Sequence, residues 1–172
     1  MKTKQILFGL LLTAALLIIG CMGGGKMLIQ DSIEIAAPPE KIWPFMTEPE
    51  KILQWCITFE KFEYPDEQRS GVGTPLYIEE EAAGRLMHLN FSVTEWVEHE
   101  RITFRMISGE FVKEYEQSWT VDATPFGSRF TFREEIKLPY GIIGSFMGLF
   151  ARRVSAATVK EMLSKLKSLT EV

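Results

Sequence analysis

Cysteine is almost absent from this sequence: its 172 residues include two, Cys21 and Cys56. Once Cys21 is taken by the N-terminal chemistry described below, Cys56 has no partner. A disulfide scaffold and a cysteine metal site are then excluded by arithmetic. Histidine is equally scarce. His88 and His99 have no local pairing of the kind a zinc site uses, so no metal is expected. No glycine-rich phosphate motif occurs, because Gly71-Val72-Gly73 reads as a turn, and no cofactor is expected. Basic residues are in deficit. Without Lys2 and Lys4, the remaining chain carries 17 Lys and Arg against 23 Asp and Glu, a net charge of about −6. A chain with that balance and no basic cluster lacks what phosphate neutralisation requires, which argues against nucleic acid. It also lacks a polybasic grip on anionic lipid. There is no internal repeat, and Gly23-Gly24-Gly25 is the only low-complexity tract. Nothing in the pattern bears on oligomeric state.

The chain does have an apolar start. Lys2 and Lys4 precede fifteen uncharged residues, Ile6 to Gly20. A basic beginning followed by a short apolar run is the pattern of an export signal. Fifteen residues fall short of the ~20 that span a bilayer comfortably. Ile18-Ile19-Gly20-Cys21 resembles a bacterial lipobox, with an aliphatic residue at −3, glycine before the cut and cysteine after it. That resemblance implies acylation of Cys21 and a protein held by lipid at the outer, periplasmic or extracellular, face of a membrane. An uncleaved signal anchor remains the alternative. The division that follows is an anchor over 1–21, a glycine-rich linker over 22–26 and one domain over 27–172, an ordinary domain length.

Within the domain, Met27, Ile29, Asp31, Ile33 and Ile35 share one phase of an alternating strand. Pro38-Pro39 stops it. Two short helices are expected next, one over Glu40 to Met46 limited by Pro44, and one over Glu48 to Trp55 opened by Pro49. Strands then follow in succession over Phe59–Tyr64, Thr74–Glu81, Gly84–Trp96, Arg101–Ile107, Phe111–Val121 and Ser128–Leu138, separated by turn residues. That spacing predicts an antiparallel meander. After Pro139 and Gly141 the period changes. Ile143, Met147, Phe150, Val154, Thr158, Met162, Leu166 and Leu169 step by three or four and define one helix face. Such a stripe must be buried, and the inner face of the sheet is the only large partner. The expected fold is α+β, a helix-grip: a curved seven-stranded antiparallel sheet wrapped on a long C-terminal helix.

Several local patterns resemble the SRPBCC superfamily, which includes START, Bet v 1-like and polyketide cyclase/dehydrase-like proteins. They are Ile33-Glu34-Ile35-x-Ala37-Pro38-Pro39-Glu40-x-Ile42-Trp43, Glu48-Pro49-Glu50-x-Ile52-x-x-Trp55, Gly71-Val72-Gly73-Thr74, Val93-Thr94-Glu95-Trp96 and Phe126-Gly127-Ser128-Arg129-Phe130. Their order along residues 28–170, rather than any one of them, carries the resemblance. It implies a cavity between sheet and helix for an apolar or amphipathic molecule or lipid. It does not imply a shared catalytic set, since a fold does not assign a function.

The inward phases name the residues that would line such a cavity: Phe91, Phe104, Tyr115, Gln117, Trp119, Phe130 and Phe132 from the sheet, with Phe146, Met147 and Phe150 from the helix. The same stripes also describe a filled core. Tyr115, Gln117 and Glu134 are polar on an apolar phase, and each needs a partner or a ligand there. A bulge that turns Glu134 outward is the alternative. Glu79-Glu80-Glu81 reads as a solvated strand end, and His88 and Asn90 should face water. Cys56, beside Trp55, reads as a packed thiol rather than a nucleophile. The uncharged stretch Tyr140 to Ala151 reads as tight helix–sheet packing, as a cavity entrance, or as a membrane contact. Three functions fit: a tethered binder of a hydrophobic molecule or lipid, a cyclase or dehydratase using Tyr115 and Glu134 as acid and base, and an assembly factor without a small ligand.

Overall fold

The computed structural model describes residues 26–82, 84–138 and 141–171, with side chains in the C-terminal helix described from Ala156 onward. The anchor, Cys21 and the linker through Gly25 lie outside the described residues, as do the side chains of Phe146, Met147 and Phe150.

The element order is β1 (Lys26–Ile35), α1 (Pro39–Ile42), α2 (Pro44–Thr47), α3 (Pro49–Trp55), β2 (Phe59–Glu63), β3 (Pro75–Ala82), β4 (Arg85–Val97), β5 (Arg101–Gly109), β6 (Glu114–Thr124), β7 (Gly127–Lys137) and α4 (Gly141–Thr170). The strands form one antiparallel sheet in the order β1-β7-β6-β5-β4-β3-β2. The curved sheet, short helices and long C-terminal helix are the expected helix-grip. The first expected short helix is divided. Trp43 N donates to Pro39 O at 2.9 Å, but Pro44 has no N–H to continue the ladder and opens α2 instead. The strand expected from Phe111 begins at Glu114. Phe111 sits in a turn at φ 65, where its backbone cannot pair as a strand.

Two features bend the sheet. Register shifts between Asn90 and Phe91 and between Val93 and Glu95 break the β4–β5 ladder, and such bulges increase twist. The β5–β6 ladder runs only from Arg101↔Thr120 to Arg105↔Glu116. Beyond it, Met106–Gly109 stays with β4, while Glu114 and Tyr115 stay with β7.

The concave face is apolar. Met87, Leu89, Phe91 and Val93 of β4, Ile102 and Phe104 of β5, and Phe130 and Phe132 of β7 are all buried. The far half of α4 buries Val159, Met162, Leu163 and Leu166 and packs against β1 and α3. Its end is pinned. Lys167 Nζ donates to Glu34 O at 2.7 Å, and Ala36 N–H donates to Glu171 Oε1 at 2.7 Å. Gly127 at the β6–β7 turn has φ 142, and a Cβ there would collide with the Ile35 carbonyl oxygen and come within 2.9 Å of Ala37 N. Only glycine lets β7 pass β1 this closely.

Candidate functional site

The concave face holds a polar cluster. Alternation along β3 turns Leu76, Ile78 and Glu80 inward, and alternation along β6 and β7 does the same for Tyr115, Gln117 and Glu134. All four polar side chains are buried. Tyr115 Oη donates to Glu80 Oε2 at 2.9 Å, and Gln117 Nε2 donates to Tyr115 Oη at 2.6 Å. Thr58 Oγ1 donates to the other Glu80 oxygen at 3.3 Å. Glu134 faces Gln117 across the β6–β7 ladder.

Two buried atoms on this face have no partner among the described residues, Gln117 Oε1 and Trp119 Nε1. One is an acceptor and the other a donor. They belong to positions two apart on β6, hence on the same side. Leaving such groups unmade costs about 1–3 kcal/mol each.

Burial governs the electrostatics. Desolvation pushes the Glu80 carboxyl up to about 7, against smaller downward pulls from the Tyr115 and Thr58 hydroxyls. Desolvation also raises Glu134, to about 8, with the nearby Glu80 charge adding to it. Two carboxyls in one dry site resist ionising together, so the pair retains a proton at neutral pH. Burial, then the two glutamates, holds the Tyr115 phenol well above its ordinary range. The cluster therefore offers a proton donor, a proton acceptor and hydrogen-bonding groups within an apolar wall. Cys56 is wholly buried beside it, and burial and both glutamates raise its thiol well above the usual value. A thiol so placed is packed and inert.

The structure places each sheet residue expected to line a cavity on the concave face: Phe91, Phe104, Tyr115, Gln117, Trp119, Phe130 and Phe132 are buried there. Trp55 of α3 covers Trp119 at a ring separation of 5.2 Å and Phe130 at 5.4 Å. Phe104 joins Trp119, at 5.1 Å, to Phe91, which is edge-on to both Phe104 and Tyr115, so the rings form one continuous packed run. Glu134 points inward, which removes the outward-turning alternative. His88 and Asn90 face solvent, with Tyr77 Oη 2.9 Å from His88 Nδ1. Glu80 corrects the reading of Glu79-Glu80-Glu81 as a solvated strand end. Its phase matches Leu76 and Ile78, and that match is the signal by which it could have been found. Thr58, in the turn before β2, carried no comparable signal.

Two surface hollows of about 490 and 500 Å³ lie at the other end of the sheet, around Ala36, Thr124 and Phe126. None of the clustered residues lines either.

Solved structures share this architecture at low sequence identity. A START superfamily protein from Mycobacterium smegmatis superposes with a TM-score of 0.68 at 15% identity, covering 84% of this chain and 97% of its own. The ZhuI aromatase/cyclase from Streptomyces sp. R1128 gives 0.68 at 12%, covering 85% and 94%. A protein from Thermus thermophilus gives 0.66 at 20%, covering 83% and 94%. At these identities the likeness establishes the fold. Among curated proteins, none matches the sequence. The family described as polyketide cyclase/dehydrase and lipid transport matches residues 27–171, and the chain belongs to that family.

Proposed function

We propose that the domain binds a hydrophobic or amphipathic small molecule or lipid between its sheet and C-terminal helix, while its N-terminus holds it at a membrane. One observation carries the binding reading: a buried polar set on an otherwise apolar face, with Gln117 Oε1 and Trp119 Nε1 lacking a partner among the described residues. Ligand sites combine apolar walls with a few placed polar groups in this way. The tether reading rests on the sequence of residues 1–25, since no helix among the described residues is long and apolar enough to cross a membrane. It places the domain on the outer face, lipid-anchored through Cys21. The test is native mass spectrometry of the full chain purified from its own membrane, with lipid extraction. A bound molecule of reproducible mass is expected, and repeated recovery of the bare chain overturns the reading. The same spectrum reads the anchor: an intact Met1 rules out acylated Cys21.

A second reading is an enzyme of cyclase or dehydratase type. The Tyr115–Glu80 hydrogen bond beside Glu134 supports it, because acids tuned near neutral pH suit proton transfer. In that case Tyr115→Phe and Glu134→Gln each lower turnover about 100-fold or more. Unchanged turnover in both variants leaves binding alone.

A further inference from the structure

The N-terminus of β1 marks one end of the molecule. Lys26 is in register with Lys137, the last residue of β7, and Lys137 with Glu114, the first of β6. Lys113 N–H donates to Lys137 O at 2.8 Å, which fixes the β5–β6 loop to the same rim. The β3–β4 turn joins it, since the Arg85 guanidinium lies 5.2 Å from the centre of the Phe111 ring. The chain from residues 1–25 therefore enters the domain on a rim built from the β3–β4 turn and the β5–β6 loop.

That rim exposes large apolar side chains. Ile107 is 72% exposed, Phe111 52% and Leu86 42%. Phe111 is held at φ 65, a conformation that costs a bulky residue energy and that glycine would adopt freely. The turn does not need an aromatic ring, and its cost is borne with the ring facing water. The charges around it cancel. Lys26, Arg85, Lys113 and Lys137 stand among Glu81, Glu110, Glu114 and Glu135, with Lys26 paired to Glu135 and Lys137 to Glu114.

We propose that this rim, with Ile107 and Phe111 foremost, is the face that docks on the lipid bilayer. The proposal rests on the reading of residues 1–25 as a membrane tether. If Cys21 carries lipid, the five residues Met22 to Lys26 reach no more than ~18 Å, which holds this rim beside the bilayer. The opposite end, with Phe126 at 91% exposure, lies on the order of 30 Å away along β6. Because the rim is electrically balanced, apolar insertion drives the contact and anionic lipid is not required.

The two exposed phenylalanines make the test. In the full chain, p-benzoylphenylalanine replaces Phe111 or Phe126, and the protein is reconstituted into phosphatidylcholine vesicles. Flotation of the unsubstituted chain is scored first. If it fails to float, the tether reading fails and the proposal with it. If it floats, irradiation is expected to give several-fold more phospholipid adduct at position 111 than at 126, unchanged by added salt. Substitution at Ile107 should reproduce the result. Equal or reversed yields, or adducts at 111 to protein instead of lipid, overturn the docking face while leaving the tether intact.

Discussion

Trp55→Ala lowers the free energy of unfolding by about 3–5 kcal/mol, the cost of removing a fully enclosed aromatic side chain from a core that cannot collapse around the gap. The indole packs on the concave face. Its ring meets Trp119 and Phe130, and its Nε1 donates to Phe45 O at 2.8 Å. Alanine removes the packing and leaves the Phe45 carbonyl without that donor. Against a total stability of about 5–15 kcal/mol, the loss is large enough to unfold a sizeable fraction of the protein on warming. Urea denaturation followed by far-UV circular dichroism measures it. A loss below about 1 kcal/mol would mean that Trp55 does not plug the concave face.

The second expected result is a stability that falls as pH rises from 5 to 8. Glu80 and Glu134 have folded values of about 7 and about 8 against an ordinary value of 4.5. Below 4.5 both states hold these protons and there is no penalty. Above 4.5 the unfolded chain releases them, while the folded chain holds the Glu80 proton to about 7 and the Glu134 proton to about 8, so the folded state loses ground with each step in pH. Each retained proton is worth ~1.4 kcal/mol per unit, and each carboxyl costs the folded state on the order of 2 kcal/mol between pH 5 and 7. Glu134→Gln keeps the shape without the titration. The variant's profile should be flatter, and above pH 8 it should be the more stable protein. Parallel profiles for the two proteins would remove the buried pair as the cause. Glu114, Glu135 and Glu171 act in the opposite sense. They are held low chiefly by the hydrogen bonds of Lys137, of Lys26 and of the Ala36 N–H, and their contribution is lost as pH falls below 4.5. The stability maximum should therefore lie near pH 5.

Much of this fold is legible from local pattern. Period-two alternation marks β1, β4, β6 and β7 because one face of each is dry and the other wet. The shift to a period near 3.6 after Gly141 announces α4 for the same reason. Proline explains the broken helical segment, although the division at Pro44 needed the backbone. The site was half visible. Tyr115, Gln117 and Glu134 declare themselves as polar residues on an apolar phase. Glu80 has the same phase but sits in a run of three glutamates, and composition overrode position. Phe111 misled in the other direction, since aromatic residues favour strands and the sequence carries no mark of its left-handed turn. The packing of Trp55 on the concave face was not legible at all. It depends on contacts between α3 and residues Trp119 and Phe130, more than 60 positions later, and no local period records that.

The short β5–β6 ladder has a mechanical consequence. With five residue pairs holding two strands of nine and eleven residues, the sheet is laced at one end and unlaced at the other. The free limbs are Met106–Gly109 on one side and the first residues of β6 on the other, and Tyr115 sits on the second. No ladder bond joins them; the Tyr115–Glu80 hydrogen bond and the Phe91–Tyr115 ring contact bridge the gap instead, so side chains rather than backbone hold this part of the sheet together. Ile107 lies on the first limb and Phe111 in the connection between the two, so the rim is built on the stretch of sheet that side chains hold.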